Sequence, residues 1–109
     1  MISSDSMRGY NDALILAVLA AGDSYGYQLE KAIRDRTGGA YAIRETTLYS
    51  TLTRLVKAGS IEAYAGEISY GRPRTYYRLT AAGNSVLAAK RKEWAQTQAV
   101  VSKFLSAEE

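Results

Sequence analysis

The sequence contains no cysteine and no histidine. Without thiols, a disulfide framework and thiolate-held metals are excluded. Without imidazole, the commonest general base and the commonest transition-metal ligand are missing as well. A Ser–Lys nucleophile would need a buried lysine, and no segment suggests one. The acids Glu30, Asp35, Glu45, Glu62, Glu67 and Glu93 are scattered, without metal-ligand spacing. No glycine-rich phosphate loop follows a strand, because Gly38-Gly39 reads as a helix stop. No catalysis, cofactor or metal is therefore expected. No apolar run approaches the ~20 residues of a membrane span, and the N-terminus lacks the basic-then-apolar layout of a signal peptide. A cytoplasmic protein without a membrane partner is expected.

What is present is a chain of 109 residues, room for one domain with a real core. Its net charge of +3 is mild, but its placement is informative. Arg72, Arg74 and Arg78 crowd one short segment, and Arg54 and Lys57 share one face of a helix. Clustering of this kind is the footprint of a polyanion partner.

The stretch from Glu45 to Gly59 carries most of the information. At helical period, Leu48, Leu52, Leu55 and Val56 form one apolar stripe. Thr46, Ser50, Thr53, Arg54 and Lys57 lie nearly opposite, with Tyr49 on the border. That outer face has hydroxyls and two cations but no acid, where a solvated face usually mixes both signs. Two readings stand side by side: a polar face without a partner, and a helix that enters a DNA major groove. In the second, Thr46, Thr47 and Ser50 approach base edges while Arg54 and Lys57 meet phosphates. Tyr49 either donates its hydroxyl to a phosphate or caps the edge of the core.

Around this helix the chain reads in order. Met1 to Met7 is polar and is expected to fray. A first helix runs from about Tyr10 to Ala21, with Gly22 as a left-handed stop. Ser24 caps a second helix, Tyr25 to about Arg36, which carries Leu29 and Ile33 inward, and Tyr25 and Tyr27 read as packing residues. Two strands, Ile61–Ala65 and Thr75–Leu79, flank GEISYGRPR, a loop too long for a tight turn. Arg72-Pro73-Arg74 in that loop suits phosphates or a narrow minor groove. In the second strand, alternation puts Thr75, Tyr77 and Leu79 on one face and Tyr76 and Arg78 on the other. Tyr76 and Tyr77 read as packing residues, and Tyr64 and Tyr70 stay unassigned. Thr80 caps a last helix from Ala81 to about Leu105.

The order is helix, helix, helix, hairpin, helix. The fold class is mainly α with a small β-hairpin: a winged helix-turn-helix over residues 8–80 and a C-terminal dimerisation helix over residues 81–107. On that helix Leu87, Trp94 and Val101 recur every seven residues, joined by Val86, Ala95, Phe104 and Leu105. The domain offers too little surface to bury them all, so a second copy is expected beyond Trp94. Two-fold symmetry also doubles the base pairs read.

Three motifs give the chain a resemblance to the PadR family of bacterial transcriptional regulators, in its short subtype with a single C-terminal helix. They are Tyr25-Gly26-Tyr27-x-Leu29, then Thr47-Leu48-Tyr49-x-x-Leu52-x-Arg54-Leu55 with Gly59-x-Ile61. The third is Gly71-Arg72-x-Arg74-x-Tyr76-Tyr77-x-Leu79-Thr80-x-x-Gly83. The resemblance implies a homodimeric repressor on an inverted repeat of double-stranded DNA, associated with the nucleoid when bound, often responsive to a small molecule. Many relatives have glycine where Thr46 stands and proline where Ser50 stands, which leaves the fold intact and implies a different target. Small relatives that bind planar compounds between such helices imply the same for Trp94, the sole tryptophan, as a ligand-stacking residue. Its alternative is a packing anchor. A winged helix serving only protein–protein contacts is the rival function. It calls for an apolar or mixed-sign outer face on the third helix.

Overall fold

The computed structural model describes residues 1–69 and 71–106. Tyr70 and residue 107, to which the C-terminal helix was expected to extend, lie outside the described residues. In chain order the elements are α1 (Asn11–Ala21), β1 (Ser24–Tyr25), α2 (Gly26–Arg36), α3 (Glu45–Lys57), β2 (Ile61–Ser69), β3 (Arg72–Leu79) and α4 (Ala81–Leu105). They form a winged helix-turn-helix with a small antiparallel sheet, strand order β1-β3-β2.

The core lies where the apolar stripes converge. Ile15, Leu16 and Leu19 of α1 meet Leu29 and Ile33 of α2 and Leu48, Leu52 and Leu55 of α3. Tyr41, Ile43, Ile61 and Leu87 complete it. Val56, expected on the buried stripe of α3, lies at its exposed edge, and Thr51 is buried in its place. The Thr51 hydroxyl donates to the Thr47 carbonyl (2.7 Å), so its burial leaves no orphaned donor.

Helix α3 ends as its sequence requires. Gly59 has φ +80°. Its amide donates to Val56 O and that of Ser60 to Leu55 O, both at 3.0 Å, which is a Schellman cap. Gly22, in contrast, is extended (φ 160°) rather than left-handed. The cap of α2 also differs from expectation. Tyr25 holds the N-cap position, its amide donating to the Gln28 side chain at 3.4 Å. Ser24 pairs with Tyr77 in the two-residue strand β1 instead.

The hairpin is longer than its sequence suggests. β2 and β3 pair from Ile61↔Leu79 out to Ser69↔Arg72, with a bulge between Ala65 and Ile68. The bulge shifts the alternation by one residue, which hides the strand from a period-two reading. Arg72, Pro73 and Arg74 therefore lie on β3, not in a loop, and Pro73 sits opposite Ile68 beside the bulge, where a missing donor is tolerated. The N-terminal segment is also more ordered than expected. The Ile2 amide donates to Ala40 O at 2.7 Å, and Met7 packs against the core.

Helix α4 starts as predicted: the Thr80 hydroxyl accepts from the Gly83 amide at 3.0 Å. Its first turns pack on α1 and its far end leaves the domain. The radius of gyration is 15.5 Å, against about 13 Å for a compact chain near this length. No helix among the described residues is long and apolar enough to cross a membrane.

Candidate nucleic-acid interface

Three elements place polar side chains around the exposed side of α3. The outward stripe is Thr46, Ser50, Thr53 and Lys57, all exposed, and no acid lies among them. Two of the hydroxyls are turned back on the helix: Ser50 donates to Thr47 O (3.1 Å) and Thr53 to Tyr49 O (2.9 Å). With their protons so used, they present oxygen lone pairs outward.

One flank of α3 is formed with α2. Tyr49 is 43% exposed, yet its phenol is held against Gly26, where no Cβ stands in the way. The Tyr77 hydroxyl lies nearby, its pKa pushed up first by burial and then by Tyr49. Tyr27, expected as a packing residue, is 60% exposed beside Tyr49 at the start of α2. The signal was present in the sequence. With Leu29 and Ile33 inward, a 100° step per residue turns position 27 almost directly outward.

The opposite flank meets α1. Arg54 is not a solitary cation: its guanidinium pairs with Asp12, 42 residues away in sequence. The carboxylate engages one edge of the fork and leaves the remaining donors for another acceptor. Thr47 lies on this same flank, partly buried.

The wing supplies the third element. Arg72 is exposed at the turn end of β3. Arg74 lies over the Tyr25 ring, 4.1 Å from its centroid, and is partly buried there. Of the alternation expected for β3, Tyr77 and Leu79 pack on the core and Tyr76 and Arg78 lie on the outer face, while Thr75, expected with Tyr77 and Leu79, is exposed beyond the edge of the core. That face carries more aromatic surface than its sequence revealed. Tyr76 stacks on Tyr64 (5.7 Å) and meets Tyr25 edge-on (5.4 Å). Tyr64 donates to Asp23 (2.5 Å) and Tyr76 to Glu67 (3.0 Å). The bond to Asp23 raises the Tyr64 pKa, whereas for Tyr76 desolvation leads and Glu67 adds to it.

The proposed seam on α4 divides in two. Leu87 is 2% exposed and belongs to the monomer core, so it is unavailable to a second copy. Proximity to the domain is the reason, since α4 is still packed on α1 at that turn. Val101, Phe104 and Leu105 are exposed, the last two at 81% and 78%. Trp94 lies between the two regimes. It is 48% exposed and meets Tyr10 edge-to-face at 5.5 Å and 87°. Beside the pair runs an open groove of about 280 Å³, which Lys90, Glu93 and Thr97 also line. Among the described residues, no group of acids is arranged to hold a metal.

Solved structures with this architecture are numerous. A transcriptional regulator from Clostridium thermocellum is 48% identical, with a TM-score of 0.89 over 94% of this chain and 100% of that one. A PadR family transcription regulator from Clostridium difficile is 35% identical, with a TM-score of 0.79 over 90% of this chain and 100% of that one. Bacillus subtilis PadR, solved in complex with operator DNA, shares the fold at 23% identity, with a TM-score of 0.67 over 76% of this chain and 46% of its own. The sequence pattern of the transcriptional regulator PadR-like family matches residues 15–89, which include α2, α3, the wing and the start of α4, and the chain belongs to that family of transcriptional regulators.

Proposed function

We propose that this regulator is a homodimeric repressor that binds an inverted repeat in double-stranded DNA. The observation that carries the reading is the outer stripe of α3, four exposed hydroxyl or cationic residues with no acid among them. A protein-interaction module would need an apolar or mixed-sign stripe there. The complex of Bacillus subtilis PadR with operator DNA is a precedent on the same fold.

In this reading residues 8–80 form the DNA-binding unit. Thr46, Thr47, Ser50 and Thr53 reach base edges, while Tyr49, Arg54 and Lys57 hold the backbone. Ser50 and Thr53, presenting oxygen lone pairs, suit the amino groups of adenine or cytosine. Arg72 and Arg74 place the wing on phosphates or in an adjoining minor groove. The outer part of α4, with Trp94, Val101, Phe104 and Leu105, seals against a second copy, since side chains this exposed and apolar on one helix call for a partner. Trp94 at the edge of an open groove suits a planar aromatic effector. Such a ligand shifts DNA affinity only by preferring one arrangement of the two recognition helices.

Selection of bound duplexes from a random pool tests the reading. The expected product is an inverted repeat with half-site centres about 10 bp apart, or a multiple of that. Recovery of no consensus, or of single half-sites by a protein that sediments as a monomer, would overturn it. For the effector, planar cationic or flavin-like compounds should quench Trp94 fluorescence saturably and change DNA affinity. An indole emission indifferent to a broad panel assigns Trp94 to packing.

A further inference from the structure

The first seven residues were expected to fray, yet the N-terminal segment folds against the chain that leads into α3. The Ile2 amide reaches Ala40 O (2.7 Å), Ser6 N–H reaches Ser3 Oγ (3.2 Å), and Met7 and Tyr10 continue the turns. The result is an open cleft of about 400 Å³ between this segment and the beginning of α3. Asp5, Arg8, Asn11, Tyr41, Arg44 and Thr47 line it, together with two serines.

We propose that this cleft is a seat for one phosphate of the DNA backbone, flanking the groove that α3 enters. The assignment rests on the DNA reading above and adds to it a contact made by the N-terminal segment.

Three independent observations support it. The lining is chemically suited: two guanidiniums, hydroxyls and an amide share one space with a single carboxylate. That carboxylate, Asp5, is already held by Arg8 at 2.7 Å. Arg44 is exposed at the mouth, and Tyr41 Oη donates to Asn11 Oδ1 (2.7 Å), which fixes the Asn11 amide in place. Secondly, α3 begins beside the cleft: its N-cap residue Arg44, which makes no side-chain cap, and its first-turn residue Thr47 both belong to the lining, which brings the helix N-terminus to that end. Amides so placed, with the positive end of the helix dipole, receive anionic oxygen.

The third observation is geometric. A helix with its side chains is about 10–12 Å across, close to the ≈ 12 Å width of the major groove. The flanks of an inserted helix therefore face the two sugar–phosphate backbones. Thr47 lies about 100° round α3 from Leu48, on the flank that the N-terminal segment covers. A phosphate on that side of the groove meets the cleft without any rearrangement of α3.

Phosphate contacts are independent of sequence, so a mixed-sequence duplex is a sufficient probe. Its affinity for the full chain is followed by fluorescence anisotropy as salt is raised. Arg44→Gln and Arg8→Gln should each lower the slope of log affinity against log salt by about 0.9 per phosphate released, and weaken binding roughly threefold or more at low salt. Arg8→Lys should restore the slope, which a merely structural role for Arg8 would not predict. Arg91→Gln, an equal charge loss on α4, should leave the slope unchanged. The proposal is overturned if the Arg8 and Arg44 variants keep the wild-type slope while Arg72→Gln lowers it. It is also overturned if inorganic phosphate alone saturates the Thr46 and Thr47 amide shifts at micromolar concentration, which marks a small-anion site. A wild-type protein with no salt-dependent affinity for any duplex would sink the DNA reading itself.

Discussion

Gly26 and Tyr49 offer the sharpest test of how α3 is held. A Cβ built on Gly26 would lie 2.1 Å from the Tyr49 hydroxyl oxygen, 2.7 Å from Cζ and 3.1 Å from Cε1. Real Cβ contacts do not go below 3.0 Å, so Gly26→Ala must displace the phenol by close to an ångström. Overpacking of this size costs about 1–3 kcal/mol. Replacing glycine by alanine in a helix gains up to about 1 kcal/mol in the opposite direction. With the full gain subtracted, the net loss should be about 0–2 kcal/mol. In a domain of this size that lowers the melting temperature by roughly 4–8 °C per kcal/mol. Because Tyr49 is 43% exposed, part of the cost can be avoided by swinging the ring outward. DNA affinity should then fall even where stability falls little. The assay is a double-mutant cycle read by thermal melts and DNA titration. Tyr49→Ala should remove the penalty and leave Gly26→Ala neutral or mildly stabilising. Tyr49→Phe should give an intermediate result, since Cζ stays too close after the oxygen is gone. An equal penalty in the Tyr49 and Tyr49→Ala backgrounds would refute the reasoning.

Leu87→Ala should destabilise the monomer by about 2–5 kcal/mol, as core truncations do, whereas Val101→Glu should leave the fold intact and yield monomers on sedimentation. Ser50→Ala should change preference at one or two base pairs by about 1–3 kcal/mol in a binding-site selection, without changing the salt slope. The hydroxyl pKa values of Tyr41, Tyr64, Tyr76 and Tyr77 are all raised above the ordinary 10.0, with burial or a carboxylate partner as the leading cause. A raised phenol binds its proton more tightly in the folded chain. Its contribution to stability is therefore complete below pH 10 and is lost as pH rises through the folded value. Melts between pH 8 and 12 should show a plateau and then a fall, with tyrosinate absorbance lagging behind that of the unfolded chain. A melting temperature falling steadily from pH 8 would contradict it.

The sequence made the helices legible because each carries an apolar stripe at its own period and a recognisable end, Gly59 for α3 and Thr80 for α4. β1 was not legible, since two residues cannot display a period. The outer half of the wing was lost for a different reason. The bulge near Gly66 breaks the alternation, and the turn glycine Gly71 looks like any loop glycine. Within the candidate interface, the stripe on α3 and the exposed Arg72 follow from counting along the chain. The Asp12 partner of Arg54 and the stacking of Arg74 on Tyr25 do not, because each joins residues far apart in sequence. The heptad through Leu87, Trp94 and Val101 was visible, but periodicity cannot say where a helix leaves its own domain.

The junction between α3 and α4 has a mechanical consequence. The Ser60 amide donates to Leu55 O, closing α3, and its carbonyl accepts from the Thr80 amide (3.1 Å) at the start of α4. Gly83 packs so closely on it that a Cβ there would fall 1.9 Å from the Ser60 carbonyl oxygen. One residue thus bonds the end of α3 to the start of α4 and forms a weld between the two helices. A helix of 25 residues is about 37 Å long, so a tilt of about 5° at the weld sweeps its far end through roughly 3 Å. That sweep is close to the 3.4 Å rise of one base pair. Where the far end is held by a second copy, as proposed, the same few degrees of tilt in α4 displace α3 instead, on the scale of a single step along a duplex.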